Sequence, residues 1–169
     1  VRREADGEEL SGPNLTPVIL DITDEAQVAA VGERIADAVG GAGLAGVVNN
    51  AGIALGGPLE YLPLDEWRNQ LEVNVVGQVS VTRAALPLLR AARGRIVFVG
   101  SISGRVGTTL MGPYCSSKFA IEGLAELATL GRGKILKASD TGLARFFVAA
   151  PMEGIDGVSV VAVSLNKKI

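Results

Sequence analysis

Histidine is absent from this chain of 169 residues, and cysteine occurs once. Without histidine there is no Ser-His-Asp triad, no His-ligated zinc or haem and no imidazole proton shuttle, so acid–base chemistry falls to Tyr, Lys, Asp or Glu. A single thiol excludes an internal disulfide and a cysteine-cluster metal site; no metal is expected, and a reducing compartment suits the chain. Charge of one sign is also lacking. Sixteen basic residues face 18 acidic ones for a net charge of −2, which leaves no basic footprint for nucleic acid. No apolar run approaches the roughly 20 residues that a bilayer demands, and no signal-peptide pattern opens the chain. The expectation is a cytoplasmic protein without a membrane partner. An initiator Met is missing too: the chain opens on Val1 within polar sequence, as a fragment or mature piece of something longer would.

What the chain does have is apolar surface and glycine. Hydrophobic residues make up 48%, enough for the core of one domain. Its 22 glycines are close to double the usual share of about 7%. Either tight turns are many, or the backbone must approach something closely.

Periodicity then orders the chain. Val18-Ile19-Leu20 reads as a first strand ending on Asp21. Asp24, with Gln27 three residues on, forms a capping box, and Val28, Val31, Ile35 and Val39 recur at helical spacing as far as Gly40-Gly41. Residues 44–48 are too short an apolar run for a helix and read as a strand feeding Asn49-Asn50-Ala51-Gly52. A long helix is predicted from about Asp65 toward Pro87-Leu88-Leu89, ended by Gly94. The Ile-Val-Phe-Val run of residues 95–99 reads as a strand covered on both faces. Residues 100–112 form a loop, a helix runs from about Pro113 to Leu130, and residues 157–164 make a last strand. Residues 128–156 resist assignment, as an insertion or divergent stretch would.

Strands alternating with helices predict an α/β fold with a doubly wound parallel sheet, Rossmann-like and incomplete, in one partial domain spanning 1–169. Ligands bind such sheets beyond the carboxyl ends of the strands. Asp21, the Asn49–Gly52 run and Gly100-Ser101 follow three strand ends and should converge there.

Tyr114 and Lys118 lie four apart at the start of a predicted helix, on one face. An ammonium close to a phenol favours the phenolate, a route to acid–base catalysis without histidine. By itself the pair reads equally as an ordinary helix-surface contact. Its company matters: Ser101 in Ser101-Ile102-Ser103-Gly104 ends the preceding strand, Asn74 sits in Asn74-Val75-Val76-Gly77, and further back stand Asn49-Asn50-Ala51-Gly52 and Leu20-Asp21. In residue types and spacings this set resembles the short-chain dehydrogenase/reductase family, over residues 1–127.

The resemblance implies roles for each position. Tyr114 would be the catalytic acid/base, Lys118 would tune it and bind the nicotinamide ribose, and Ser101 would hold the substrate oxygen. Asn74, a poor helix former in mid-helix, is either a kink or buried amide, or the holder of a water in a proton relay. Asn49, Ala51 and Gly52 either end a strand or let the backbone approach the adenosine ribose. Asp21 either caps a helix or accepts from the adenine amino group, with Ile22 against the ring. Arg2, where the second strand of the family would end, points to NADP rather than NAD, unless it is a solvated surface arginine. Cys115 and Trp67 read as packing and anchor residues.

The implied activity is NAD(P)-dependent interconversion of an alcohol and a ketone or aldehyde. Val106, Leu110 and Met111 suit a hydrophobic small-molecule substrate, and the residues around Tyr114 resemble retinol- and hydroxysteroid-type members. Pairing of the helices at about 65–90 and 113–130 would give a homodimer or homotetramer. The family's phosphate loop, Thr-Gly-x-x-x-Gly-x-Gly, does not occur in these 169 residues. That leaves a second reading, a catalytically silent binding or dimerisation module.

Overall fold

A computed structural model describes residues 1–8, 10, 12–130, 134–137, 146–150 and 160–163, with side chains up to residue 126. At the start of the chain, the Val1 amino group donates to Val18 O at 2.9 Å, and Val1 O accepts from Leu20 N at 2.8 Å. This is the bonding of a parallel bridge one residue long. The strand expected at residues 18–20 is therefore extended backbone outside the main sheet, because a strand needs a ladder of partners and Val1 supplies a single rung. Between them lies a five-residue helix, α1 (Glu4–Glu8), which the sequence pattern does not announce.

Helix α2 (Glu25–Val39) begins as its cap dictates. Asp24 accepts from the backbone N–H groups of Ala26 and Gln27, and the Gln27 amide donates back to its carboxylate at 2.8 Å. Of the predicted stripe, Val28 is fully buried, while Val31, Ile35 and Val39 pack against the core from its margin. Gly40, at φ 53°, ends the helix. Strand β1 (Gly46–Asn49) comes next.

The predicted long helix is present, with an irregularity inside it. It consists of α3 (Leu64–Leu71), a π turn (Glu72–Val76) and α4 (Gly77–Ala92), and ends on Arg93 in the left-handed conformation. Val81, Ala85 and Leu89 of α4 recur every fourth residue and face the core. Strand β2 (Arg95–Val99) alternates rather than being buried throughout: Ile96 and Phe98 are buried, while Val97 and Val99 are half-buried. The buried face is the one that meets Ile121 and Ala125 in the apolar core. Those two residues belong to α5 (Gly112–Leu130), one turn apart on its inward side.

The sheet runs in the order β3 (Lys134–Lys137), β4 (Phe146–Ala150), β2, β1, β5 (Val160–Val163). Its centre is parallel, as expected: Gly46 pairs with Arg95 and Asn49 with Phe98, while β5 runs parallel along the other side of β1. A parallel neighbour requires a crossover, and the helix of residues 64–92 supplies it between β1 and β2. The edge is antiparallel, β4 on β2 and β3 on β4. It comes from the stretch that periodicity left unassigned. Strand β5 lies within the predicted residues 157–164, whose other members fall outside the described residues. The Rossmann-like α/β architecture is thus present and incomplete. Among the described residues, no helix is long and apolar enough to cross a membrane.

Ile121 of α5 lies in the same apolar core as Ile96 and Phe98 of β2 and has no exposed surface. Ile121→Ala should cost about 2–5 kcal/mol of unfolding free energy, read from urea midpoints. A loss below about 1 kcal/mol would mean that this helix does not seal the core.

Candidate active site

Because β1 and β2 run parallel, the Asn49–Gly52 run and Gly100-Ser101 emerge at the same edge of the sheet. Ala51 and Ile53 of the loop after β1 are buried there, so the backbone groups around them must find partners. Three amides from the long helix provide them. Asn74 Oδ1 accepts from Ile53 N at 2.8 Å, and its Nδ2 donates to Ile53 O at 2.9 Å. Gln70 accepts from Leu55 N at 2.7 Å and donates to Ile53 O at 2.8 Å, and Gln78 donates to Ala51 O at 2.7 Å. All three are buried, spaced four apart, with Asn74 in the π turn between the other two. Asn74 is thus a buried amide bonded to backbone on both of its polar atoms. Sequence reasoning missed Gln70 and Gln78; their only signal is polar residues on one stripe, which an exposed helix face would also carry.

Asn74 reaches in a second direction. Its Nδ2 lies 3.0 Å from the Ser117 hydroxyl, which in turn donates to Tyr114 O at 2.7 Å. Ser117, also missed, therefore ties the first turn of α5 to the amide row. It stands three residues after Tyr114, where a serine hydroxyl bonds back to a helix carbonyl.

Tyr114 is half-buried and Lys118 is 5% exposed. The Lys118 ammonium lies 5.8 Å from the centre of the Tyr114 ring and donates to Val99 O at 2.8 Å. Burial pulls its pKa down from 10.5 to about 8. Two residues past Val99, buried Ser101 accepts from Ser103 N at 3.2 Å and caps the short turn Ile102–Gly104. Its hydroxyl proton remains to donate. Hydrogen bonds thus tie Asn74 through Ser117 to the Tyr114 carbonyl, and Lys118 to Val99, two residues before Ser101. Cys115 is buried packing, and its Sγ accepts from Thr108 N at 3.3 Å.

The other predicted residues gather elsewhere. Arg2 Nε lies 3.8 Å from Asp21 Oδ2, both side chains about half exposed. Asp21 accepts from the Thr23 backbone N–H and hydroxyl, which hold its carboxyl below the usual range; the helix cap is Asp24 instead. Ile22 departs from the expectation of a side chain offered to a ring: it is 3% exposed and pressed into the core, where a Cβ on Gly77 would come within 2.8 Å of its Cγ1. Asn49 also turns inward, its Nδ2 donating to Thr82 Oγ1 at 2.9 Å. Ala51 is buried, and a Cβ on Gly52 would stand 3.2 Å from Asn74 Oδ1. Much of the glycine excess thus serves close packing between elements.

A nicotinamide dinucleotide fits one end of this arrangement. Lys118 carries three N–H donors, of which Val99 O takes one, beside a half-buried phenol; that donor set suits ribose hydroxyls. Asn49 Oδ1 and Gln78 Oε1 are buried acceptors without a hydrogen-bond donor at the same sheet edge. For the pyrophosphate, the pattern Thr-Gly-x-x-x-Gly-x-Gly, which would set backbone N–H groups at a helix N-terminus, does not occur in these 169 residues.

Comparison with known proteins gives the family. Residues 3–132 match the family described as short chain dehydrogenase. Retinol dehydrogenase 5 of Mus musculus is 41% identical over 122 residues, 72% of this chain and 38% of that protein. The human 17-beta-hydroxysteroid dehydrogenase type 6 is 42% identical over 128 residues, 73% of this chain and 40% of that protein. Among solved structures, apo LigO from Sphingobium sp. strain SYK-6 superposes with a TM-score of 0.69 at 31% identity, covering 76% of this chain and 50% of that one. ElxO with NADP bound gives 0.63 at 32% identity, over 68% and 46%. The chain therefore spans well under half the length of these curated relatives.

Lys118 links the site to stability. Its folded pKa of about 8 lies below the unfolded 10.5, so below pH 8 both states are protonated and the burial penalty is felt in full. Between pH 8 and 10.5 the folded state sheds the proton that the unfolded state keeps, and stability rises with pH, by about 3 kcal/mol in all. Unfolding free energies of wild type and Lys118→Met should therefore shift relative to each other by that amount, in favour of wild type, between pH 7 and 10.5. A difference that stays constant with pH would show that the ammonium is not desolvated.

Proposed function

The chain belongs to the short-chain dehydrogenase family, and from that premise we propose that it interconverts an alcohol and a ketone or aldehyde by hydride transfer with NAD(P). The observation that carries this reading is the buried Lys118 ammonium, anchored on Val99 O and held 5.8 Å from the Tyr114 ring centre. The bound nicotinamide supplies or accepts the hydride. Tyr114 protonates the carbonyl oxygen, or takes the alcohol proton in the reverse direction. Lys118 places its positive charge beside the phenol and offers its remaining N–H groups to the ribose hydroxyls. Ser101 donates to the substrate oxygen and holds it where charge develops. Asn74, already bound to Ile53 and Ser117, would hold a water that links Lys118 to solvent as a proton relay.

Arg2 favours NADP over NAD: a guanidinium next to Asp21 at the exposed edge suits a 2′-phosphate. The substrate in this reading is a hydrophobic alcohol of the retinol or hydroxysteroid class. Support comes from the retinol and hydroxysteroid dehydrogenases that the chain resembles and from Val106 and Leu110, which are 60% and 56% exposed in the loop before Tyr114. Self-association through the helices at 64–92 and 112–130 belongs to the same reading. The second reading is a silent binding or dimerisation module.

Titration with NADPH, monitored by nicotinamide fluorescence, separates the two. Binding at or below millimolar cofactor supports the enzyme; no binding at that concentration removes it. Tyr114→Phe should then lower turnover of retinol about 10²–10⁴-fold while the NADPH affinity stays within about twofold. Retained turnover would take Tyr114 out of the mechanism.

A further inference from the structure

Ser101 lies on a segment that α5 grips at both ends. On the near side, the Lys118 ammonium donates to Val99 O at 2.8 Å. On the far side, Gly104 comes so close to α5 that a Cβ there would stand 2.8 Å from Lys118 O and 3.1 Å from Glu122 Cγ. The next residue, Arg105, places Nη2 2.8 Å from Glu122 Oε2. Glu122 stands one turn beyond Lys118, so both grips come from one face of the helix that carries Tyr114. The Glu122 side chain is only 8% exposed, whereas Arg105 is 51% exposed. A carboxylate buried to that degree needs a paired charge, and an apolar side chain at 122 would fill the space without one. What the ion pair adds over apolar packing is direction: it fixes where the chain leaves the Ser101 turn.

We propose that Arg105 and Glu122 are positioning residues that hold Ser101 in register with Tyr114 and Lys118. The proposal rests on the catalytic roles of Ser101 and Tyr114 in the proposed dehydrogenase activity. Neither residue of the pair touches substrate or cofactor; they act through the turn Ile102–Gly104. Releasing the far grip leaves the Ser101 hydroxyl in place chemically but free to swing, and misplacement of such a group by about 1 Å costs up to about 10²-fold in rate.

The test compares Arg105→Ala, Arg105→Lys and the double variant Arg105→Ala/Glu122→Gln, which strands no buried charge and so guards against a simple failure to fold. With NADP and retinol, Arg105→Ala and the double variant should lose at least about tenfold in kcat, with KM for NADP unchanged, and Arg105→Lys should recover most of the loss. A kcat within twofold of wild type in the double variant overturns the proposal, as does a loss that Arg105→Lys fails to repair. If the wild-type chain turns nothing over, the enzyme reading fails on its own account. Positioning is then read from amide hydrogen exchange of residues 100–105. Faster exchange in the double variant, with α5 unchanged, supports it; equal exchange overturns it.

Discussion

A loop can be buried only when its backbone polar groups find partners, and the loop after β1 finds them on the side chains of one helix. Gln70, Asn74 and Gln78 replace the missing ladder neighbours of residues 51–55, each amide acting as a detachable piece of backbone. Left unpaired, such groups would cost about 1–3 kcal/mol each. The π turn between α3 and α4 belongs to the same arrangement, because an extra residue in the helix shifts the register of every later turn. Asn74 lies in that turn, at the centre of the row. Through Ser117 the row extends to Tyr114, so the packing of a loop and the placement of a phenol depend on one set of hydrogen bonds.

Among the described residues, two charged side chains are buried, and both lie on α5. Lys118 is buried against a single carbonyl and has its pKa pulled down as a result, a stability cost that a purely structural position would avoid. Glu122 sits one turn away on the same helix face, its carboxylate buried and paired with Arg105, whose guanidinium is half in water. Strain and burial of this sort gather where a protein trades stability for geometry.

Much of the fold was legible in the residues themselves. The cap of α2 was written in Asp24 and Gln27, its end in Gly40, and the β-branched run of residues 95–99 announced β2. The stretch at residues 18–20 looked equally like a strand, yet it makes a single rung with Val1, because pattern reports a preference and pairing needs a neighbour. The edge strands β3 and β4 carried no usable alternation. In the site, the Tyr114–Lys118 spacing and Ser101 at a strand end could be read directly. Gln70, Gln78, Ser117 and the Arg105–Glu122 pair could not, since each is a polar residue whose partner stands 15 or more residues away, or whose partner is backbone. Ile22 shows the reverse: a motif suggested contact with a ring, and packing turned its side chain inward.

By itself, then, the sequence determined the class of chemistry. Lacking histidine, it confined acid–base groups to Tyr, Lys, Asp and Glu, and it set Tyr114 and Lys118 four apart, where helical spacing alone makes the two side chains neighbours. Only the tertiary structure decided that the Lys118 ammonium would be stripped of water and moored to Val99, and that Ser101 and Asn74 would meet α5 at all. The reason is physical: local spacing fixes who shares a helix face, whereas desolvation and contacts between distant segments exist only once the sheet has brought its strand ends to one edge.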